Sequence, residues 1–89
     1  MNNPEVKKLI RKYDYLFWYT PEQEKENISL DMLVENILNY GDMDAIKNLF
    51  ETLGLQKTAE IFFNATGRKK GNYFPEIHNL FTLYFKKHV

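Results

Sequence analysis

The sequence predicts a single all-α domain of four or five short helices, spanning residues 1–89, with an aromatic strap near the N-terminus. Apolar residues recur at helical spacing almost throughout, and no run of four or more residues alternates as a half-buried strand would. Capping residues and glycines divide the chain into short segments. Chains of this length rarely split into two domains, and the absence of cysteine excludes a disulfide framework.

The first predicted helix begins at Pro4, because proline is favoured at the first helical position. Its apolar residues, Val6, Leu9 and Ile10, share one side. We expect this helix to end near Tyr13.

The aromatic strap covers residues 13–19, which read YDYLFWY. In an extended segment alternate side chains point to opposite sides, so Tyr13, Tyr15, Phe17 and Tyr19 would share one side. We expect Phe17 and Trp18 to be largely buried, because a small core gains most from its largest side chains. The three tyrosines, Tyr13, Tyr15 and Tyr19, are expected to be at least partly exposed and are the candidate partner-binding residues.

Two helical segments follow the strap. Thr20 and Gln23 have the spacing of a capping box, which predicts a turn or two of helix over residues 21–26. Ser29 is a favourable N-cap for the next helix. Gly41 is predicted to end that helix in the left-handed conformation that glycine favours.

Three further helices are predicted in the second half of the chain. Asp42 caps the first of them and Gly54 stops it. Another covers about residues 56–65, a basic loop follows at residues 67–72, and Pro75 opens the last helix. The last helix has an apolar stripe of Ile77, Leu80, Phe81, Tyr84 and Phe85. The facing stripes predict one continuous core formed by Leu33, Ile37, Ile46, Leu49, Phe50, Phe62, Phe81 and Phe85.

The net charge of zero conceals an uneven distribution. Residues 1–19 and 61–89 together carry a net charge of +6, whereas residues 20–60 carry −6. The pattern is consistent with ordinary solvated surfaces or with two faces that meet different partners.

Catalytic and metal-binding constellations are not predicted. His78 and His88 are ten residues apart on one helix, roughly 15 Å by the helical rise, which is too far to share a metal ion. Asp42 and Asp44 fall in the first turn of a helix, where negative charge stabilises the helix dipole. We therefore expect no enzymatic activity, no metal and no cofactor.

Localisation is predicted from the same composition. No run approaches the roughly 18 apolar residues of a membrane span, and the N-terminus lacks the features of a signal peptide. We expect a cytoplasmic protein.

Several short motifs resemble a family of bacterial proteins of unknown function, many of which are similar to partners of predicted nucleotidyltransferases of the abortive-infection, toxin–antitoxin kind. The resemblance is carried by Phe17-Trp18, residues 37–42 (ILNYGD), Leu49-Phe50, Gly54 and Leu83-Tyr84-Phe85. Residues 66–75 depart from the family pattern, which has a shorter link there. The family supplies no catalytic residues to carry over.

Two functional hypotheses follow. The first is that the chain is a non-enzymatic cytoplasmic protein-binding module, and more specifically the antitoxin-like partner of a nucleotidyltransferase. The protein it binds is then a toxin of the nucleotidyltransferase kind or a second copy of this chain. The alternative is a small nucleic-acid-binding protein that uses Arg68, Lys69 and Lys70 with the basic C-terminus, where Tyr73 and Phe74 would stack on bases.

Overall fold

The computed structural model describes residues 3–64 and 73–89, and every regular element in these ranges is helical. Two 3₁₀-helices, Asp14–Phe17 and Glu22–Asn27, join the first two α-helices. The elements form a small compact all-α domain with a Cα radius of gyration of 12.3 Å, as the sequence predicts. The α-helices are α1 (Pro4–Lys12), α2 (Leu30–Tyr40), α3 (Met43–Leu53), α4 (Leu55–Phe63) and α5 (Pro75–His88).

Side-chain caps begin three of the α-helices. Asn3 Oδ1 accepts from the Val6 N–H at 2.9 Å, and Ser29 Oγ accepts from the Met32 N–H at 3.1 Å. Asp42 Oδ1 accepts from the Ala45 N–H at 2.9 Å. The predicted caps at Ser29 and Asp42 are confirmed, because a cap satisfies backbone donors that the first turn leaves unpaired.

The predicted capping box of Thr20 and Gln23 is wrong. The segment that follows is the 3₁₀-helix Glu22–Asn27, and no side chain caps its N-terminus. Its backbone instead begins with the Glu24 N–H donating to the Pro21 carbonyl at 2.9 Å.

The two glycines at helix ends act in different ways. Gly54 has a φ of +89°, a region that favours glycine, and it separates α3 from α4 as predicted. Gly41 ends α2 with a φ of −78° and a ψ of 158°, so the predicted left-handed conformation is wrong. A Cβ at Gly41 would lie 2.6 Å from the Ile37 carbonyl oxygen, and this close approach explains the glycine.

The core joins the five α-helices of the described ranges. Helix α1 packs on α3 and on the second 3₁₀-helix, while α2 packs on both α3 and α4. Seven of the eight predicted core residues are buried: Leu33, Ile37, Ile46, Leu49, Phe62, Phe81 and Phe85. Phe50 is only half-buried, because its ring stacks on the exposed ring of Tyr84 at the edge of the core, with centroids 5.9 Å apart.

Helix α5 is held mainly by aromatic contacts. The buried ring of Phe85 lies 5.3 Å from Phe62 and 5.9 Å from Phe50, which fixes α5 against α4 and α3. The apolar stripe predicted for α5 covers more of the helix surface than these contacts with α3 and α4 do. Two residues of that stripe, Leu80 and Tyr84, are therefore exposed.

Candidate functional site

The aromatic strap folds as a 3₁₀-helix instead of an extended segment. The Leu16 N–H donates to the Tyr13 carbonyl and the Thr20 N–H donates to the Phe17 carbonyl, both at 2.9 Å. Side chains three residues apart therefore share a side. The predicted two-residue alternation is wrong, and the period of three explains why Tyr13 and Leu16 are buried together while Tyr15 and Trp18 are exposed together.

Tyr13 lies on the inner side of this helix with Leu16, and both are buried. The Tyr13 hydroxyl donates to Asp44 Oδ2 at 2.5 Å, and Asn48 Nδ2 donates to the Tyr13 hydroxyl at 2.7 Å. The hydrogen bond to Asp44 and the burial of the phenol raise the pKa of Tyr13. The expectation that Tyr13 is partly exposed is wrong, because this tyrosine fastens the end of α1 to α3.

Phe17 is fully buried, as predicted, whereas Trp18 is 77% exposed. The predicted burial of Trp18 is wrong for a geometric reason: in a 3₁₀-helix position 18 lies over position 15, and Tyr15 is itself 59% exposed.

Three exposed aromatic side chains lie within five residues of each other in the sequence, and we call them the aromatic patch: Tyr15, Trp18 and Tyr19. The predicted exposure of Tyr15 and Tyr19 is confirmed, the latter at 47%. The Trp18 and Tyr19 rings meet edge to face with centroids 5.3 Å apart. The Tyr19 hydroxyl accepts a hydrogen bond from Asn36 Nδ2, and Asn36 is buried in α2. One edge of the patch is thus fixed to the core.

The acidic segment after the patch is fastened to α1 by an ion-pair cluster. Arg11 Nη1 lies 2.5 Å from Glu22 Oε1, and Arg11 Nε lies 2.7 Å from Glu26 Oε2. Lys25 Nζ lies 3.2 Å from Glu22 Oε2, and Lys25 and Arg11 together hold the pKa of Glu22 below its usual value. This cluster connects the two ends of the segment that carries the patch.

The two aromatic residues of the nucleic-acid hypothesis, Tyr73 and Phe74, are poorly placed for base stacking. Arg68, Lys69 and Lys70 lie outside the described residues. Tyr73 is buried, and burial raises its pKa strongly. Its ring packs on Phe62 with centroids 5.0 Å apart, so Tyr73 offers no face for base stacking. The neighbouring Phe74 is exposed but packs edge-on against Tyr40.

The histidines have structural contacts. His78 stacks on Phe62 with centroids 4.9 Å apart, and the ring of His88 lies 4.5 Å from that of Tyr84. Within the described ranges, no three histidine or carboxylate side chains lie close enough to hold a metal ion.

A second apolar surface lies between α3 and α5 and was not predicted. It is a groove of about 280 Å³ lined by Met43, Ile46, Lys47, Phe50, Leu80, Phe81 and Tyr84. The sequence contains one indication of this groove: the apolar stripe on the last helix is wider than a single packing face requires.

No protein-family model, curated protein or solved structure matches this chain. In the part of the chain that the structure describes, every helix is too short or too polar to cross a membrane.

Proposed function

We propose that this chain is a non-enzymatic, cytoplasmic protein-binding module and that the aromatic patch is its binding site. The proposal depends on one observation: Tyr15, Trp18 and Tyr19 are all exposed within five residues, on the 3₁₀-helix Asp14–Phe17 and directly after it. Tryptophan and tyrosine are enriched among the residues that contribute most to protein–protein binding. Single exposed apolar side chains are ordinary, whereas three large exposed rings within five residues favour an interaction surface.

The way the patch is held also supports binding. Asn36 fixes the tip of Tyr19, the ring of Tyr19 supports Trp18, and Arg11 fastens the following segment to α1. Side chains that are already ordered lose less conformational freedom when a partner binds. The patch therefore presents an apolar surface at a low entropic cost.

The partner we propose is a second protein, and the resemblance described above favours a toxin of the nucleotidyltransferase kind. In that case this chain acts as the antitoxin-like member of the pair. The Phe17-Trp18 motif belongs to the resemblance, and Trp18 is the most exposed residue of the patch.

The test is co-expression with the product of the adjacent gene, followed by co-purification. Trp18→Ala and Tyr15→Ala should each reduce the recovered complex, because both remove exposed contact surface without removing a hydrogen bond of the core. Tyr40→Ala is the matched control, since Tyr40 is also an exposed aromatic residue but lies at the end of α2. Equal recovery with all three variants would contradict the proposal.

The alternative of a nucleic-acid-binding protein has less support. Lys86 and Lys87 are exposed at the end of α5, but the stacking residue Tyr73 is buried. Replacing Arg68, Lys69 and Lys70 together should lower the affinity for every nucleic-acid sequence alike and reduce its salt dependence. Absence of DNA and RNA binding at low salt would eliminate this alternative.

A further inference from the structure

Helix α5 has an apolar side that faces away from the core. Phe81 and Phe85 point inward and are buried, whereas Leu80 and Leu83 are 56% and 61% exposed. Residues three apart are neighbours on a helix surface, so the two leucines form one continuous apolar surface. Nothing in the described fold covers them.

Charged residues of opposite sign stand at the two ends of this surface. Glu76 lies four residues before Leu80, and Lys87 lies four residues after Leu83; both are exposed. Spacings of four, three and four keep all four side chains in one line along the helix, as at the a and d positions of a coiled coil. We call Glu76, Leu80, Leu83 and Lys87 the outer stripe of α5.

Neither charge of the outer stripe is used within the described ranges. Glu76 and Lys87 have no ion-pair partner among residues 3–64 and 73–89. Both are therefore available to pair with charges on another molecule.

The outer stripe is complementary to itself when reversed. Its four positions are symmetric about the point midway between Leu80 and Leu83. If a second α5 lies antiparallel across the first, Glu76 meets Lys87 of the second copy at both ends and Leu80 meets Leu83 in the middle. A parallel arrangement would place like charges opposite each other, which disfavours association.

We infer that α5 pairs antiparallel with α5 of a second copy, forming a two-fold symmetric dimer through the outer stripe. A two-fold contact requires a surface that complements itself, and the outer stripe meets this requirement in both charge and apolar character. The surface shares no residue with the aromatic patch. The inference is therefore independent of the proposed function.

The groove between α3 and α5 enlarges this contact. Leu80 belongs to both the outer stripe and the groove, and the exposed Met43 lines the groove from α3. The stripe alone extends roughly 16 Å along the helix. Standard interfaces bury about 1,200–2,000 Å² in total, so the additional groove surface matters and the dimer should depend on concentration.

The experiment is a charge exchange followed by sedimentation velocity over a range of protein concentrations. Glu76→Lys and Lys87→Glu should each weaken dimerisation by about tenfold, because each places like charges together at both ends of the contact. The double variant Glu76→Lys/Lys87→Glu should restore dimerisation. Lys86→Glu is the matched control; it makes the same charge change off the outer stripe and should leave the dimer intact.

Restoration in the double variant separates pairing from folding. Glu76 and Lys87 also favour the dipole of α5, so both exchanges together should lower the thermal stability of the helix more than either alone. A dimer that returns while stability falls can only reflect pairing across the interface. A protein that is monomeric at every concentration, or a dimer that the single exchanges leave unchanged, would overturn the inference. So would a dimer that Trp18→Ala abolishes, because it would then form through the aromatic patch.

Discussion

Phe17 and Trp18 are adjacent in the sequence, yet we predict very different costs for replacing them by alanine. Phe17 is completely buried, and removing a buried phenylalanine side chain costs about 3–5 kcal/mol, which includes the cavity that remains. A domain of this size has a total stability of roughly 5–13 kcal/mol. Phe17→Ala should therefore remove a large part of the free energy of unfolding.

Trp18→Ala should cost much less. With 77% of its surface exposed, Trp18 buries about a quarter of its side chain. A tryptophan offers up to about 250 Å² for burial, and about 25 cal/mol is gained per Å² buried. The expected loss is at most about 1.5 kcal/mol, including part of the edge contact with Tyr19.

Urea unfolding followed by far-ultraviolet circular dichroism measures both values on one scale. Phe17→Leu is the control, since it keeps most of the apolar volume and should cost much less than Phe17→Ala. If Trp18→Ala is as destabilising as Phe17→Ala, the 3₁₀ arrangement of the strap is wrong and Trp18 belongs to the core.

Three further predictions test the local structure. Asp42→Ala should lower the stability by about 0.5–2 kcal/mol, and Asp42→Asn should lower it much less, because asparagine also accepts from the Ala45 N–H. An unchanged melting temperature for Asp42→Ala would refute the cap. Gly54→Ala should cost about 1–3 kcal/mol in urea unfolding because its φ is +89°, and a variant as stable as the parent would exclude that backbone conformation. Stability should fall as pH rises above the ordinary tyrosine pKa of 10.0, because the fold raises the pKa of Tyr13 and Tyr73 and so favours their neutral forms. Melting temperatures measured from about pH 8 to 11 should decline less steeply for Tyr73→Phe than for the parent protein. An identical decline would contradict the burial of Tyr73.

The helix boundaries were predictable because each depends on a few neighbouring residues. A cap such as Ser29 or Asp42 needs only a side-chain oxygen and the N–H three residues later, and both are visible in the sequence. Gly54 was identified for the same local reason. The conformation of Gly41 was not predicted correctly, because glycine is required there by the close approach of the Ile37 carbonyl oxygen and not by a left-handed turn.

The strap was mispredicted because its composition does not mark an outer side. Apart from Asp14, the segment is apolar on every side, so a period of two and a period of three bury equally hydrophobic sets of residues. The choice between them depends on Tyr13, whose hydroxyl must reach Asp44 and Asn48 on α3, more than thirty residues away. The exposure of Leu80 was not predicted for a related reason, since α5 has apolar residues on both its inner and outer sides.

The position of Trp18 also determines what the intrinsic fluorescence of this protein can report. Trp18 is the only tryptophan in the chain, and most of its indole ring is in water in the folded state. Its emission should therefore resemble that of an unfolded chain and change little on denaturation. Burial of the patch by a bound protein would shift the emission to shorter wavelength. Tryptophan fluorescence should therefore report partner binding in a titration, although it changes little on unfolding.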